Sequence, residues 1–167
     1  TLSSQSLFYA RQLWREDDSL GRADTSAFAR RFGSTLKMAA ALELYITTKE
    51  AVYADVFKEA VWKALDRSVL FGMKTALQAV PFLDGDYKHK LSVYVRKYKA
   101  ACDDYGKQNP YAVPIATGGW GGSGAVVNFA TTNYYAHKFY PDEIGPEYVY
   151  RGLDYIFGCH PYSNISF

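Results

Sequence analysis

The chain has 167 residues, with 19 Lys and Arg against 17 Asp and Glu and a formal charge of +2, so no strong field points to nucleic acid or an anionic membrane as a partner. Its 49% hydrophobic and 22% charged residues are a globular composition, and no apolar run approaches the roughly 20 residues that cross a bilayer. Two cysteines, Cys102 and Cys159, are too few for a disulfide framework or a thiolate metal cluster, and the opening Thr-Leu-Ser-Ser-Gln lacks the basic and apolar stretches of a targeting peptide.

From about Ser26 to Thr48, Phe28, Phe32, Leu36, Ala39, Leu42 and Ile46 recur at three- and four-residue steps with charges largely between them, which predicts an amphipathic helix capped by Thr25 or Ser26. A second helix is predicted from about Glu50 to Arg67, with Tyr53, Phe57, Ala60, Val61 and Ala64 in one stripe. The apolar segment Val69 to Val80 should stop at Pro81, which has no N–H to donate. Asp84-Gly85-Asp86 reads as a turn, after which Tyr87, Leu91, Tyr94, Val95, Tyr98 and Cys102 give the cleanest helical pattern in the chain. Pro110 and Pro114 then favour an extended loop over residues 108–114, followed by five glycines around Trp120 in the segment Gly118 to Gly124.

Past Gly124 a helical pattern resumes to about Tyr140, with Ser123 as its expected cap. Pro141 breaks it, Gly145-Pro146-Glu147 starts one more helix, and Gly158 ends that one. About six helices and no strand-rich region predict an all-α fold of paired helices.

Several segments could carry chemistry. Gly119-Trp120-Gly121-Gly122-Ser123-Gly124 has the spacing of a dinucleotide-binding turn, but prolines precede it where that turn needs a parallel strand. The acidic neighbours Asp17-Asp18, Asp103-Asp104 and Asp142-Glu143 invite comparison with the paired carboxylates of glycoside hydrolysis. Neighbours on a helix point about 100° apart, however, and read as solvated surface. His89 sits among lysines, and His137 and His160 lie among aromatic residues, where a hydrogen-bonded structural imidazole is the usual role. Asn164-Ile165-Ser166 fits a glycosylation acceptor. Fifteen tyrosines offer apolar faces that suit sugars and cores alike. Trp14 and Trp62 fall on helical patterns and read as core, whereas Trp120, held among glycines, either stacks on a sugar ring or plugs a gap between helices.

The C-terminal third resembles the family 9 glycoside hydrolases. The resemblance is carried by Asn109-Pro110-Tyr111, Val113-Pro114-Ile115, the segment from Gly119 to Ala125, and Asn133-Tyr134-Tyr135-Ala136-His137-Lys138. Its clearest element is Tyr150-Arg151-Gly152-Leu153-Asp154-Tyr155-Ile156-Phe157-Gly158-Cys159-His160-Pro161, running on to Phe167. It implies part of an (α/α)6 toroid of alternating inner and outer helices, whose loops at one end form an open sugar cleft. Trp120 stands where the family has a cleft-lining Trp. His160, standing where the family's Gly-x-Asn-Pro has Asn, is the second expected substrate-binding residue. Ala125 occupies the place of a tyrosine common in endoglucanases, and both departures point towards the cellobiohydrolase-like, exo-acting branch.

The resemblance also implies inverting hydrolysis by an Asp-x-x-Asp pair and a distant Glu, but no Asp-x-x-Asp occurs in the sequence. No catalytic carboxylate is therefore expected here. Residues 1–167 are expected to be a segment of a single family 9 catalytic domain, truncated at both ends and inactive alone. The expected partners are a β-linked glucan or oligosaccharide and the rest of the parent domain, with no nucleic acid and no membrane. The parent is expected to be secreted and to act on cellulose or a related β-1,4-glucan. No cofactor is expected; calcium occurs in the family, but no ligand set can be matched to these residues. The alternative is a non-catalytic helical module that binds a glycan or another protein.

Overall fold

Helical periodicity dominates the computed structural model, which describes the backbone of residues 2–20, 27–115 and 122–158 and the side chains of residues 3–16, 35–115 and 122–158. The described residues form seven α-helices: α1 (Leu2–Leu20), α2 (Ala27–Thr48), α3 (Ala51–Arg67), α4 (Val69–Gln78), α5 (Gly85–Gln108), α6 (Gly122–Phe139) and α7 (Glu147–Ile156). One 3-10 turn, Val80–Phe82, follows α4. The chain is all-α, as its periodicity predicts, and divides into two compact units, Thr1–Asp66 and Arg67–Phe167.

In the first unit, α1 was not among the predicted elements. Its apolar positions Leu7 and Trp14 lie seven residues apart, two turns on one face, but Ser, Gln and Arg crowd the rest of the helix. Trp14 meets the Tyr53 ring edge-on at 5.6 Å, the Lys37 ammonium lies 5.2 Å from its ring centre, and Arg11 pairs with Glu50. Trp14 and Trp62 are half-buried rather than core residues. The buried face of α2 is also turned from the expected stripe: Met38, Ala41, Leu42 and Leu44 are enclosed, whereas Leu36 is 58% exposed. Leu36 lines a groove of about 650 Å³ with Leu13, Trp14 and Ala40, so the apolar residues of α2 serve two faces. The face of α3 is as expected around Tyr53, Phe57 and Val61, with Leu65 added.

In the second unit, α4 ends at Gln78, and Pro81 sits inside the 3-10 turn rather than at a helix stop. The fixed φ of proline suits the start of such a turn, where its missing N–H costs nothing. Asp84 is the N-cap of α5, accepting the Tyr87 N–H at 2.8 Å, so the predicted turn is the helix start itself. Tyr87, Leu91, Val95, Tyr98 and Cys102 are buried as the spacing requires. The Tyr87 hydroxyl donates to the Ala76 carbonyl at 2.9 Å, fastening α5 to α4.

Helix α6 forms despite its β-branched residues, and its polar side chains turn back onto the backbone. Thr131 donates to the Val127 carbonyl, Thr132 to that of Asn128 and the Asn133 amide to that of Phe129. Ser123 is its second residue rather than its cap; Thr25 and Ser26, the proposed caps of α2, lie outside the described residues. His137 meets Ile144 near the turn and Gly152 meets Ala130 further along, so α6 and α7 run antiparallel. Tyr140 with Lys88 and Phe129 with Tyr105 give α5 and α6 the same relation. Pro146 stands at the N-cap of α7, and Gly158 just beyond its end has φ +89°, the left-handed backbone that favours glycine.

Candidate functional site

The two expected substrate-binding residues, Trp120 and His160, lie outside the described residues, as does Cys159. The segments that lead towards them are described, and they meet. Asn109 ends α5 with an extended backbone, and Pro110 cannot continue the helix. The Asn109 side chain then clasps Val113, its Nδ2 donating to the Val113 carbonyl at 2.8 Å and its Oδ1 accepting the Val113 N–H at 3.3 Å. Between them Ala112 takes φ +52°, a left-handed conformation that costs a non-glycine residue roughly 1–2 kcal/mol. The clasp and the fully buried Val113 hold it there.

This fold of the loop brings Tyr111 against Tyr155, ring centres 5.4 Å apart and planes at 72°. Tyr111 precedes the glycine-rich segment and Tyr155 precedes the Gly158-Cys159-His160-Pro161 segment. The Asn109-Pro110-Tyr111 turn and the C-terminal end of α7 are therefore neighbours.

One and two turns back along α7, Arg151 and Tyr148 share the face of Tyr155 by their spacing. The Tyr148 hydroxyl donates to Asp103 Oδ1 on α5 at 2.5 Å. Burial, reinforced by that carboxylate, pushes the Tyr148 hydroxyl up to about 12. The Arg151 guanidinium lies 4.2 Å from the Tyr148 ring centre and 3.9 Å from Asp103 Oδ1, stacked as a planar cation on a π-face. On its other side α7 approaches α6 closely at Gly152: a Cβ there would stand 2.8 Å from Ala130 Cβ and 3.3 Å from the Val126 carbonyl oxygen.

Asp103 is therefore more than solvated surface, although its side chain remains 49% exposed. The sequence signal lay in Tyr148, Arg151 and Tyr155, spaced three and four apart, which periodicity alone reads as a partly polar helix face. Asp104 pairs with Lys107, Glu143 with Arg96, and Asp142 is exposed; the side chains of Asp17 and Asp18 lie outside the described residues. His89 is exposed, and His137 Nδ1 lies 2.8 Å from the Ile144 carbonyl in a structural contact. Cys102 is free and enclosed, and burial pushes its thiol up to about 12, away from nucleophilic use.

Among the described residues no strand precedes the glycine-rich segment, since α5 and the Asn109 loop occupy the stretch to residue 115. A dinucleotide-binding turn has no βαβ frame there. Among the described residues no group of three or more His, Cys, Asp or Glu side chains gathers to hold a metal ion, and no helix is long and apolar enough to cross a membrane. Compared with models of known protein families, with curated proteins and with solved structures, the chain matches none.

Proposed function

We propose that the chain is part of the catalytic domain of a family 9 glycoside hydrolase, a helical toroid that cleaves β-1,4-glucosidic bonds by inversion, and that it contributes to the substrate cleft rather than to the acid and base. The observation that carries the reading is the contact of Tyr111 with Tyr155. It brings the Asn109-Pro110-Tyr111 turn against the C-terminal end of α7, and in such a fold the loops at one end of the helices form the cleft. Paired helices on short connections, α4 with α5 and α6 with α7, support the toroidal architecture.

In this role Trp120 offers an indole face to the C–H surface of a glucose ring, and His160 offers a ring nitrogen to a hydroxyl. Inverting hydrolysis needs a general acid and a general base about 6.5–9.5 Å apart, with room between them for water. The acidic pairs described here stand on helix surfaces or in ion pairs, so the parent's carboxylates are assigned to other parts of the domain. Secretion and action on cellulose or a related β-glucan follow from the same resemblance.

The test is to titrate the 167-residue chain with cellohexaose and to follow product release by chromatography. Binding without any shortening of the oligosaccharide is the expected result. Cleavage by this chain would overturn the assignment of the carboxylates elsewhere, and no binding would remove the cleft role.

A further inference from the structure

Among the described residues, Arg151 has no acceptor in hydrogen-bond reach. A guanidinium carries five N–H donors in a planar fork, and here its one anionic neighbour, Asp103, is 3.9 Å away, beyond hydrogen-bond distance. The ring of Tyr148, 4.2 Å from the guanidinium carbon, fixes the plane of the fork without using any donor. Asp103 is the complementary case. Its Oδ1 receives the Tyr148 hydroxyl, while a carboxylate has a second oxygen and about four acceptor positions. Both side chains reach solvent, Arg151 at 29% and Asp103 at 49% exposure.

Fastening α5 to α7 explains the Tyr148 to Asp103 bond but not the Arg151 fork, which adds no hydrogen bond to that fastening. What the pair presents is a fixed donor edge beside a fixed acceptor. Tyr155 lies one helical turn from Arg151 with Tyr111 at its edge. On the α5 side, Gly106 is one turn from Asp103, and a Cβ placed there would lie 3.6 Å from Ala112, next to Tyr111. Polar pair and aromatic pair therefore form one continuous row across α5, the loop and α7.

We infer that Arg151 and Asp103, flanked by Tyr111 and Tyr155, form a subsite for one pyranose ring of a β-glucan, distinct from the ring stacked on Trp120. The guanidinium donates to one ring hydroxyl oxygen, the free carboxylate oxygen accepts from the adjacent hydroxyl, and the tyrosines supply apolar edge contact. A donor and an acceptor held side by side match a vicinal diol, in which each hydroxyl both donates and accepts. The charges balance each other, so the subsite favours a neutral sugar over an anion. The identity of the ligand rests on the glucan reading above.

Calorimetric titration of the chain with cellohexaose tests the inference, comparing the unaltered protein with Arg151→Gln, Asp103→Asn and Trp120→Ala. Asp103→Asn keeps an oxygen to receive the Tyr148 hydroxyl, so it preserves the helix fastening while changing the hydrogen-bonding pattern. Arg151→Gln and Asp103→Asn should each weaken binding about fivefold to tenfold, as expected for losing a hydrogen bond to a charged group, with little change in melting temperature. If Trp120→Ala weakens binding while both other variants bind as the unaltered protein does, the subsite is wrong and the cleft reading stands. If the unaltered chain does not bind cellohexaose, the glucan reading fails and the subsite with it.

Discussion

Gly152 shows how a single hydrogen atom in place of a methyl group sets the α6–α7 spacing. A Cβ at this position would stand 2.8 Å from Ala130 Cβ, with the Val126 carbonyl oxygen at 3.3 Å, and neither neighbour is a flexible side-chain end. Gly152→Ala should therefore destabilise the chain by about 1–3 kcal/mol through overpacking, despite the better helix propensity of alanine, and a urea titration measures it. An unchanged midpoint would mean that α7 can back away from α6 at no cost. Tyr148 tests the contact of α7 with α5. Tyr148→Phe removes the hydroxyl from Asp103 and should cost about 1 kcal/mol, the half-exposed carboxylate regaining water in compensation; a loss above about 3 kcal/mol would show that the ring itself had shifted.

At the scale of elements, α5 combines a clean apolar stripe with a defined start. Asp84→Ala takes the acceptor from the Tyr87 N–H and should lower stability by about 1 kcal/mol; thermal melts of the two proteins give the comparison. The same helix was the most legible in the sequence, because Tyr87, Leu91, Val95, Tyr98 and Cys102 obey one period and bury one face. Helix α1 was not legible: its polar residues mask a short stripe whose partners, Tyr53 and Lys37, lie on two other helices. The phase of α2 was misread for a related reason, since Leu36 and Leu42 both look apolar but face different surroundings. Around the candidate site, Trp120 and His160 lie outside the described residues, and Asp103 and Arg151 could not be joined from sequence. Their meeting depends on how α5 packs beside α7, which no local spacing encodes.

Across the whole molecule, buried hydroxyl and thiol groups set a common alkaline limit. Burial raises Cys102 from 9.0 to about 12, and Tyr140 and Tyr148 from 10.0 to about 12; it also raises Tyr87 and Tyr98 strongly. Each group stays protonated in the folded chain to a higher pH than in the unfolded chain, so the unfolded state loses protons first. The stabilisation is whole below about pH 9 and is lost as pH rises through about 12. Urea midpoints should be level up to about pH 8.5 and then fall steadily; in Cys102→Ala the onset should move up by about one unit. A midpoint that stayed level to about pH 11 would show these groups to be open to water. The net charge of +2 adds little self-repulsion at neutral pH, so the functional account rests on local chemistry rather than on a global field. The role proposed for the chain is to hold a glucan through Trp120 and His160. The most direct measurement follows the three indole N–H resonances, assigned through Trp→Phe variants, during titration with cellohexaose. The Trp120 resonance should shift saturably while those of Trp14 and Trp62 stay in place. A Trp120 resonance unmoved at saturating oligosaccharide, or shifts confined to Trp14 and Trp62, would contradict it.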